Sequence, residues 1–363
     1  MIAGWIVRPV MRADDDMSST EHPETAAGAK KRAPASPRLV EYVDSLAEEL
    51  RKQLTGAFEG DADAIHDARV ATRRLTAVID LFETRLSKRL RGRFEKSLKR
   101  IRRALGRGRD LDVMIGHVQE AKGADADVRA FLLDRLRSER EHELEEANGL
   151  SASKLLGKLG TWWGLREQIA DDEALSLLRE SLPRQLDDFA RQADQHSGIA
   201  GGTAAEIETA APSGTPAKPK LLNPHELRIA GKALRYTLEM AAVEGVKISG
   251  PVKRAFKRMQ DLLGLWHDFV VLTGKVMEVC LDEEIHYTRP LLLKHCLAFS
   301  LACTRKADGR MKEFVKLWKK QGAELQIQIR AALEAASGES HVNELAMGGA
   351  EAEAELSVLK IES

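Results

Sequence analysis

The chain contains the stretch HDARVATRRL at residues 66–75, and a related stretch, HELRIAGKAL, returns 159 positions later at residues 225–234. A second pair keeps nearly the same separation, because LGRGRD at residues 105–110 matches LGLWHD at residues 263–268, 158 positions apart. Two anchors that hold their register over about 40 residues are typical of a duplicated structural unit. The sequence therefore predicts two similar halves.

The repeated stretch predicts a helix with one basic face. The residues that share this face are His66, Arg69 and Arg73 in the first copy and His225, Arg228, Lys232 and Arg235 in the second. They fall within arcs of about 60° and about 80° on their helices. A single basic stripe of this kind is usually a solvated helix face. Its recurrence at matching positions in both halves favours a binding role instead.

The starts of the two helices predict an attraction for anions. Asn223 followed by Pro224 is typical of an N-cap with proline at the first helical position, which places His225 in the first turn. In the first copy Asp63 is the predicted cap, so we expect His66 to lie at a similar depth. Free N–H groups and the helix dipole favour negative charge at such a terminus.

The two motifs together resemble the CHAD family, named for its conserved histidine α-helical domain. The motifs are His-x-x-Arg-[Val/Ile]-x-x-[Arg/Lys] and Leu-Gly-x-x-Arg-Asp-x-Asp-Val, and the similarity covers roughly residues 38–335. The resemblance implies an all-α protein of two pseudo-symmetric helical bundles around a basic central cavity. It also implies binding of inorganic polyphosphate, association with polyphosphate granules, and no catalysis.

The resemblance and the basic pattern give a set of candidate polyphosphate-binding residues. These are His66, Arg69, Arg73, Arg74, Lys99, Arg100, Arg103, Arg109, His225, Arg228, Lys232, Arg235, Lys257 and Arg258. Lys99 and Arg100, matched by Lys257 and Arg258, are as consistent with a solvated surface as with the cavity. The aspartates at 110 and 268 are interpreted as N-caps of the following helices.

The two halves differ at several of these positions, so we expect them to be non-equivalent. Thr76 stands where the family pattern favours a basic residue, whereas its counterpart Arg235 is basic. Ala233 replaces Arg74, and His267 replaces Arg109.

Overall charge does not predict a polyanion ligand, but its distribution does. The 363 residues carry 56 basic and 56 acidic side chains, for a formal net charge of zero. Residues 85–109 nevertheless contain twelve Lys and Arg residues and a single acid, Glu95, a net charge of +11. Repeated guanidinium and ammonium groups suit a ligand made only of anionic oxygens.

Several classes of function are disfavoured by what the sequence contains. The three cysteines predict neither a disulfide framework nor a zinc site, and they fit a reducing cytoplasm. The apolar stretch at residues 2–10 is too short for a signal peptide or a membrane span, and Met11 or Met17 is an alternative start. No acidic residue lies three or four positions after His66 or His225 on the same face, so we expect no enzyme, no metal site and no cofactor.

Two alternatives to polyphosphate binding stay open. One is non-specific binding to the backbone of nucleic acid, and the other is a scaffold without a polyanion ligand. Single strands of nucleic acid favour aromatic platforms beside cations, whereas the two basic faces contain only Tyr236 and aromatic residues make up 5% of the chain. Nucleic acid is therefore the weaker candidate, and granule-associated proteins are further candidate partners.

The predicted organisation is helical throughout. It comprises a disordered arm at residues 1–36, a first helical half at 37–195, a flexible linker at 196–221, a second helical half at 222–336, and an acidic disordered tail at 337–363. Helices are predicted near residues 64–84, 87–105, 110–121, 126–148, 152–168, 173–194, 224–241, 250–263, 267–281, 287–306 and 309–336. A first helix after Pro37 is predicted from its apolar residues Leu39, Val43, Leu46, Leu50 and Leu54. The tryptophans at 162, 163, 266 and 318 are predicted to pack in the core or at a bundle end, not to serve as platforms for a ligand.

Overall fold

A computed structural model describes residues 38–148, 159–169, 173–198 and 223–359, together with Gly157. Within these ranges the protein is all-α and contains no strand, which confirms the predicted fold class. The predicted arm at 1–36 and most of the predicted linker at 196–221 lie outside the described residues. The predicted tail begins inside the last helix, whose side chains are described as far as Ala336.

The described helices follow the predicted order with some changes of boundary. They are α1 (Arg38–Phe58), α2 (Ala62–Leu81), α3 (Lys88–Ala104), α4 (Gly106–Glu120), α5 (Ala126–Asn148), α6 (Thr161–Arg166), α7 (Ala174–Ser197), α8 (Pro224–Val243), α9 (Gly250–Cys280), α10 (Glu283–Thr288) and α11 (Pro290–Leu359). None of the helices in the described ranges combines the length and the apolar character needed to cross a bilayer.

The helices that carry the two motifs pack against each other near the middle of the fold. Helix α2 packs on α1 and contacts α3, α4 and α8, while α7 packs on α8 and α9 packs on α11. The predicted apolar stripe of α1 is confirmed, because Leu39, Val43, Leu46, Leu50 and Leu54 are all buried. Burial of such aliphatic side chains is the main favourable contribution to the free energy of folding.

The tryptophan prediction is correct only in part. Trp162 and Trp318 are buried, and their indole N–H groups donate to Asp44 and Asp194 at 3.0 and 2.7 Å. Trp163, in contrast, is 63% exposed. The three cysteines are buried and free, as expected for structural thiols.

The starts of α2 and α8 differ, contrary to the expectation of equal depth. Asn223 caps α8 as predicted, and its side chain accepts a hydrogen bond from the His225 backbone N–H at 3.0 Å. The cap of α2 is Asp61, which accepts from the Ala64 N–H at 2.7 Å, so the prediction of Asp63 was wrong. Consequently His225 is the second residue of its helix and His66 the fifth, and the dipole argument applies mainly to His225.

The interpretation of Asp110 and Asp268 as N-caps is also wrong. Only one residue, Leu105, separates α3 from α4, and Asp110 lies inside α4. In the second half α9 runs without a break through Gly264, and Asp268 lies in its interior. One interior glycine costs a helix only about 1 kcal/mol. The buried side chains on both sides of Gly264, Leu263 and Phe269 among them, outweigh that cost.

Candidate functional site

The two repeated motifs bring their basic residues together between α2 and α8. Arg73, on α2, is close enough to lower the pKa of Arg69 on its own helix, of Arg102 on α3, and of Lys232 and Arg228 on α8. We call the group around it the central cluster. It comprises His66, Arg69, Arg73, Arg102, Arg109, His225, Arg228, Lys232 and His267, with the carboxylates of Asp110 and Asp268.

On the α2 side the cluster is built around the guanidinium of Arg69. Its side chain is only 13% exposed, its Nη1 donates to the Arg102 carbonyl at 3.3 Å, and its Nη2 lies 3.6 Å from Asp110 Oδ1. Burial, and then the neighbouring charge of Arg73, lower the pKa of Arg69 to about 10. Gly106 allows this approach, since a Cβ there would lie 3.1 Å from Arg69 Nη1.

Arg102 is a member of the cluster that the sequence argument missed. Its Nη1 donates to Thr76 Oγ1 at 2.8 Å, and burial followed by the charge of Arg73 lowers its pKa. Thr76, at which the sequence departs from the family pattern, therefore accepts a hydrogen bond from an arginine of α3. The signal for Arg102 was its helical phase, which places it near the buried face of α3.

On the α8 side the cluster contains groups that titrate. Burial, followed by the charges of Arg73 and Arg228, lowers the pKa of Lys232 to about 6. Burial and Arg228 likewise lower the pKa of His267 to about 4. The His267 ring lies 5.5 Å from the ring of His225, centroid to centroid. The Nε of Arg228 is buried and has no hydrogen-bond partner among the described residues.

Each half contributes one carboxylate to the cluster. Asp110 lies beside Arg69, and Asp268 raises the pKa values of Arg228 and Lys232 against the larger effect of burial. The two aspartates occupy corresponding positions in the repeated sequence. Each lies near the arginine of the matching motif, Asp110 near Arg69 and Asp268 near Arg228. Two carboxylates cannot balance the basic groups around them, so the site stays an attractive position for an anion.

Arg74 and Arg235 belong to an ion network rather than to the cluster. The Nε of Arg74 donates to Glu239 Oε2 at 2.8 Å, and the Nε of Arg235 donates to the other oxygen, Oε1, at 2.9 Å. Burial alone would lower the pKa of Arg74, but pairing with Glu239 outweighs this effect and raises the pKa overall. In the same network burial raises the pKa of Tyr42 to about 12.

The remaining predicted residues are not among the groups whose charges act on the cluster. Lys257 pairs with Asp261 of its own helix at 3.1 Å, and Arg258 pairs with Glu313 of α11 at 3.4 Å. Lys99, Arg100 and Arg103 are exposed on α3. The matched Lys-Arg pairs that suggested a common role in both halves are therefore in different surroundings.

The arrangement is suited to electrostatic binding of an anion with several charges. Arginine and lysine donate only, and the cluster offers them from α2, α3, α4 and α8, with histidines from α2, α8 and α9. Partial burial, and then the charge of Arg109, lowers the pKa of His66, so this imidazole is mostly neutral at neutral pH. In the part of the chain that is described, no group of three His, Cys, Asp or Glu side chains is placed to hold a metal ion.

Comparison with known proteins agrees with this fold. Two similar solved structures are a CHAD domain from the plant Ricinus communis and PptA from Streptomyces chartreusis. The first is 20% identical, with a TM-score of 0.52 over 87% of this chain and 98% of that chain. The second is 15% identical, with a TM-score of 0.50 over 76% of this chain and 99% of that chain.

These two likenesses support the all-α architecture. No curated protein matches the chain. The model of the CHAD domain, however, matches residues 41–276, which include both histidine-led motifs and well over half of the 363 residues. On this match the chain belongs to the CHAD family.

Proposed function

We propose that this protein binds inorganic polyphosphate, and that the central cluster is the binding site. The observation that carries the proposal is the crowding of Arg69, Arg73, Arg228 and Lys232 at one partly buried place. Charges of the same sign that are taken out of water raise the free energy of the empty site. An anion with many closely spaced negative charges would lower it again.

The chemistry of the cluster favours phosphate oxygens over nucleic-acid bases. Charge-assisted hydrogen bonds to such oxygens contribute about 1.5–3 kcal/mol each, and a polyphosphate chain offers them continuously. The unpaired Nε of Arg228 adds a buried donor without an acceptor among the described residues. Tyr236 lies close enough to interact with Arg228 and Arg102, and a single tyrosine ring is too little for a series of stacked bases.

The wider role follows from the same proposal. Membership of the CHAD family supports a binding protein without catalysis, located in the cytoplasm at polyphosphate granules, with granule proteins as further partners. The two-fold sequence pattern supports a pair of related halves, each of which contributes one basic helix to the site. We propose no metal and no cofactor.

Titration of the full chain with long-chain polyphosphate, and with RNA of equal total charge, tests this function. We expect tighter binding of polyphosphate, with a logarithm of affinity that falls roughly linearly with the logarithm of salt concentration. The double variant Arg69→Gln, Arg228→Gln should bind at least about 100-fold more weakly, since it loses two charge-assisted contacts.

Arg191→Gln is the matched control, because Arg191 is exposed and paired only with Asp188 of its own helix in the described contacts. Its effect on affinity should be small. Equal losses in the double variant and the control, or RNA binding as tight as polyphosphate binding, would refute the assignment of the central cluster.

A further inference from the structure

Helix α3 has a second basic face, directed away from the core. Its members are Arg89, Arg93, Lys96, Arg100 and Arg103, which we call the outer α3 stripe. They fall within an arc of about 80° and extend over about 21 Å of helix. All five are exposed. Arg102, which joins the central cluster, lies on a different face of the same helix.

The five side chains of the stripe have no counter-ions among the described residues, unlike three exposed arginines elsewhere in the fold. Arg85 pairs with Glu173, Arg135 with Asp282 and Arg258 with Glu313, each at 3.4 Å or less. Among the described residues, the side chains of the stripe form no ion pair and no hydrogen bond, and Arg93 takes part only through its carbonyl, which accepts from Ser97 Oγ at 3.0 Å. The one acid of α3, Glu95, lies beside Arg91 on another face. Like charges three and four residues apart repel each other, so the pattern carries a cost that a merely soluble surface avoids.

A small concave site lies on this stripe. Its volume is about 170 Å³, and it is lined by Arg93, Lys96 and Arg100 together with Ser97 and Thr161. Three cations and two hydroxyl-bearing residues are suited to one phosphoryl group. A neighbouring cavity of about 590 Å³ has a different lining, which includes Asp44, Glu48 and the indoles of Trp162 and Trp163. The exposed Trp163 therefore lies with carboxylates and not on the stripe, which disfavours base stacking there.

We propose that the outer α3 stripe is a second phosphate-binding surface, over which a long polyphosphate chain continues after leaving the central cluster. The small site between Arg93, Lys96 and Arg100 seats one phosphoryl group of that chain. The stripe ends at Arg103, next to Arg102, so the two surfaces meet in the last turn of α3. The identity of the ligand rests on the proposed function, whereas the separate location of this surface does not.

The test compares two variants of the full chain that lose the same charge. One replaces the five residues of the stripe by Gln. The other replaces five exposed cations of α11 by Gln, namely Arg305, Lys312, Lys316, Lys319 and Lys320. Each is titrated with long-chain polyphosphate, with tripolyphosphate, which is too short to extend along the roughly 21 Å of the stripe, and with RNA, over a series of salt concentrations. A third variant, Arg93→Gln with Arg100→Gln, tests the small site with less change to the helix.

We expect the stripe variant to bind long-chain polyphosphate at least about tenfold more weakly than the α11 variant, with a flatter dependence on salt. Its affinity for tripolyphosphate should equal that of the wild type. The two-residue variant should show part of the same loss, and circular dichroism should show unchanged helicity.

Equal losses in the stripe and α11 variants would overturn the proposal, as would a stripe variant that loses RNA binding but keeps its polyphosphate affinity. Failure of the proposed function is a distinct result. In that case the wild type itself would bind neither phosphate ligand, or would keep its affinity for both when Arg69 and Arg228 are replaced.

Discussion

The α2 side and the α8 side of the central cluster perform the same electrostatic task with different groups. The α2 side has the guanidinium groups of Arg69 and Arg73, which stay charged at any physiological pH. The α8 side has Lys232 and, through α9, His267, whose pKa values burial lowers to about 6 and about 4. Both sides carry the permanent charge of arginine, Arg228 on the α8 side included, but part of the charge on the α8 side depends on pH and on what is bound.

This difference is a consequence of crowding. A cation added beside Arg69, Arg73 and Arg228 meets both the loss of water and the repulsion of its neighbours. Lysine can respond by releasing its proton, whereas arginine cannot. An anion that enters the cluster reverses the balance, so binding is coupled to proton uptake at Lys232.

The largest effect is expected where the two sides are tied together, at Glu239. Its carboxylate is 11% exposed and accepts from both Arg74 and Arg235. Glu239→Gln removes a largely buried carboxylate that two arginines share, so the free energy of unfolding should fall by about 3 kcal/mol. Urea unfolding measures this change in the free energy of unfolding. Glu48→Gln, which breaks the exposed and solvent-screened pair with Arg51, is the control and should cost much less. Equal losses of unfolding free energy in the two variants would mean that the contacts of Glu239 stabilise the fold no more than an exposed ion pair does.

The second prediction separates the two sides by pH. At pH 9, protonation of Lys232 from a pKa of about 6 costs about 4 kcal/mol, more than the roughly 1.5–3 kcal/mol that one charged contact returns. At pH 6 that cost almost disappears. Wild-type affinity for long-chain polyphosphate should therefore fall as pH rises from 6 to 9. Lys232→Gln should cost about tenfold at pH 6 and little at pH 9, whereas Arg69→Gln should cost about tenfold at both.

The control for this pH dependence is the double variant His66→Gln, His225→Gln. Burial, and then the charge of Arg109, lowers the pKa of His66 from its ordinary 6.5, so this ring is mostly neutral above pH 7. The double variant should therefore keep the slope of affinity above pH 7. If Lys232→Gln and the wild type lose affinity in parallel up to pH 9, the coupling does not reside in Lys232.

The smallest effect concerns the matched glycines of the two halves. A Cβ at Gly264 would have no heavy atom within 4 Å, so Gly264→Ala should raise the free energy of unfolding by about 0.5–1 kcal/mol and leave binding unchanged. A Cβ at Gly106 would lie 3.1 Å from Arg69 Nη1. Gly106→Ala should therefore shift that guanidinium and weaken binding a few-fold. Thermal unfolding and titration distinguish the two, and identical behaviour would remove the proposed role of Gly106.

Much of the fold could be predicted from local pattern. The apolar spacing of α1 and the Asn223-Pro224 cap are confirmed because each depends on neighbours a few residues away. The cap of α2 was wrong because two acids compete at its start. Gly60, at a φ of 92°, turns the chain so that Asp61 and not Asp63 takes the capping position.

The candidate site was predictable only in part, because its contacts are long-range. No local pattern relates Arg74 to Glu239, 165 positions away. Arg102 was not predicted because the candidate residues were chosen by matching the two repeated motifs and not by their helical phase. Relative to the buried Phe94, Leu98 and Ile101, Arg102 is turned by about 70°, whereas Lys99, Arg100 and Arg103 are turned by about 130–170°. Phase alone would have assigned Arg102 to the cluster and the other three to the surface.

The packing of α7 bears on where the chain can be divided. The predicted first half ends at residue 195, in the last turn of α7, yet α7 packs on α8 and α11 just as α1 packs on α2. Each motif helix is thus preceded by a helix that covers its apolar side. A fragment cut at 195 would carry Leu178, Leu182 and Phe189 without the surface that buries them. A fragment boundary placed before Ala174 keeps each covering helix with the motif helix that it shields.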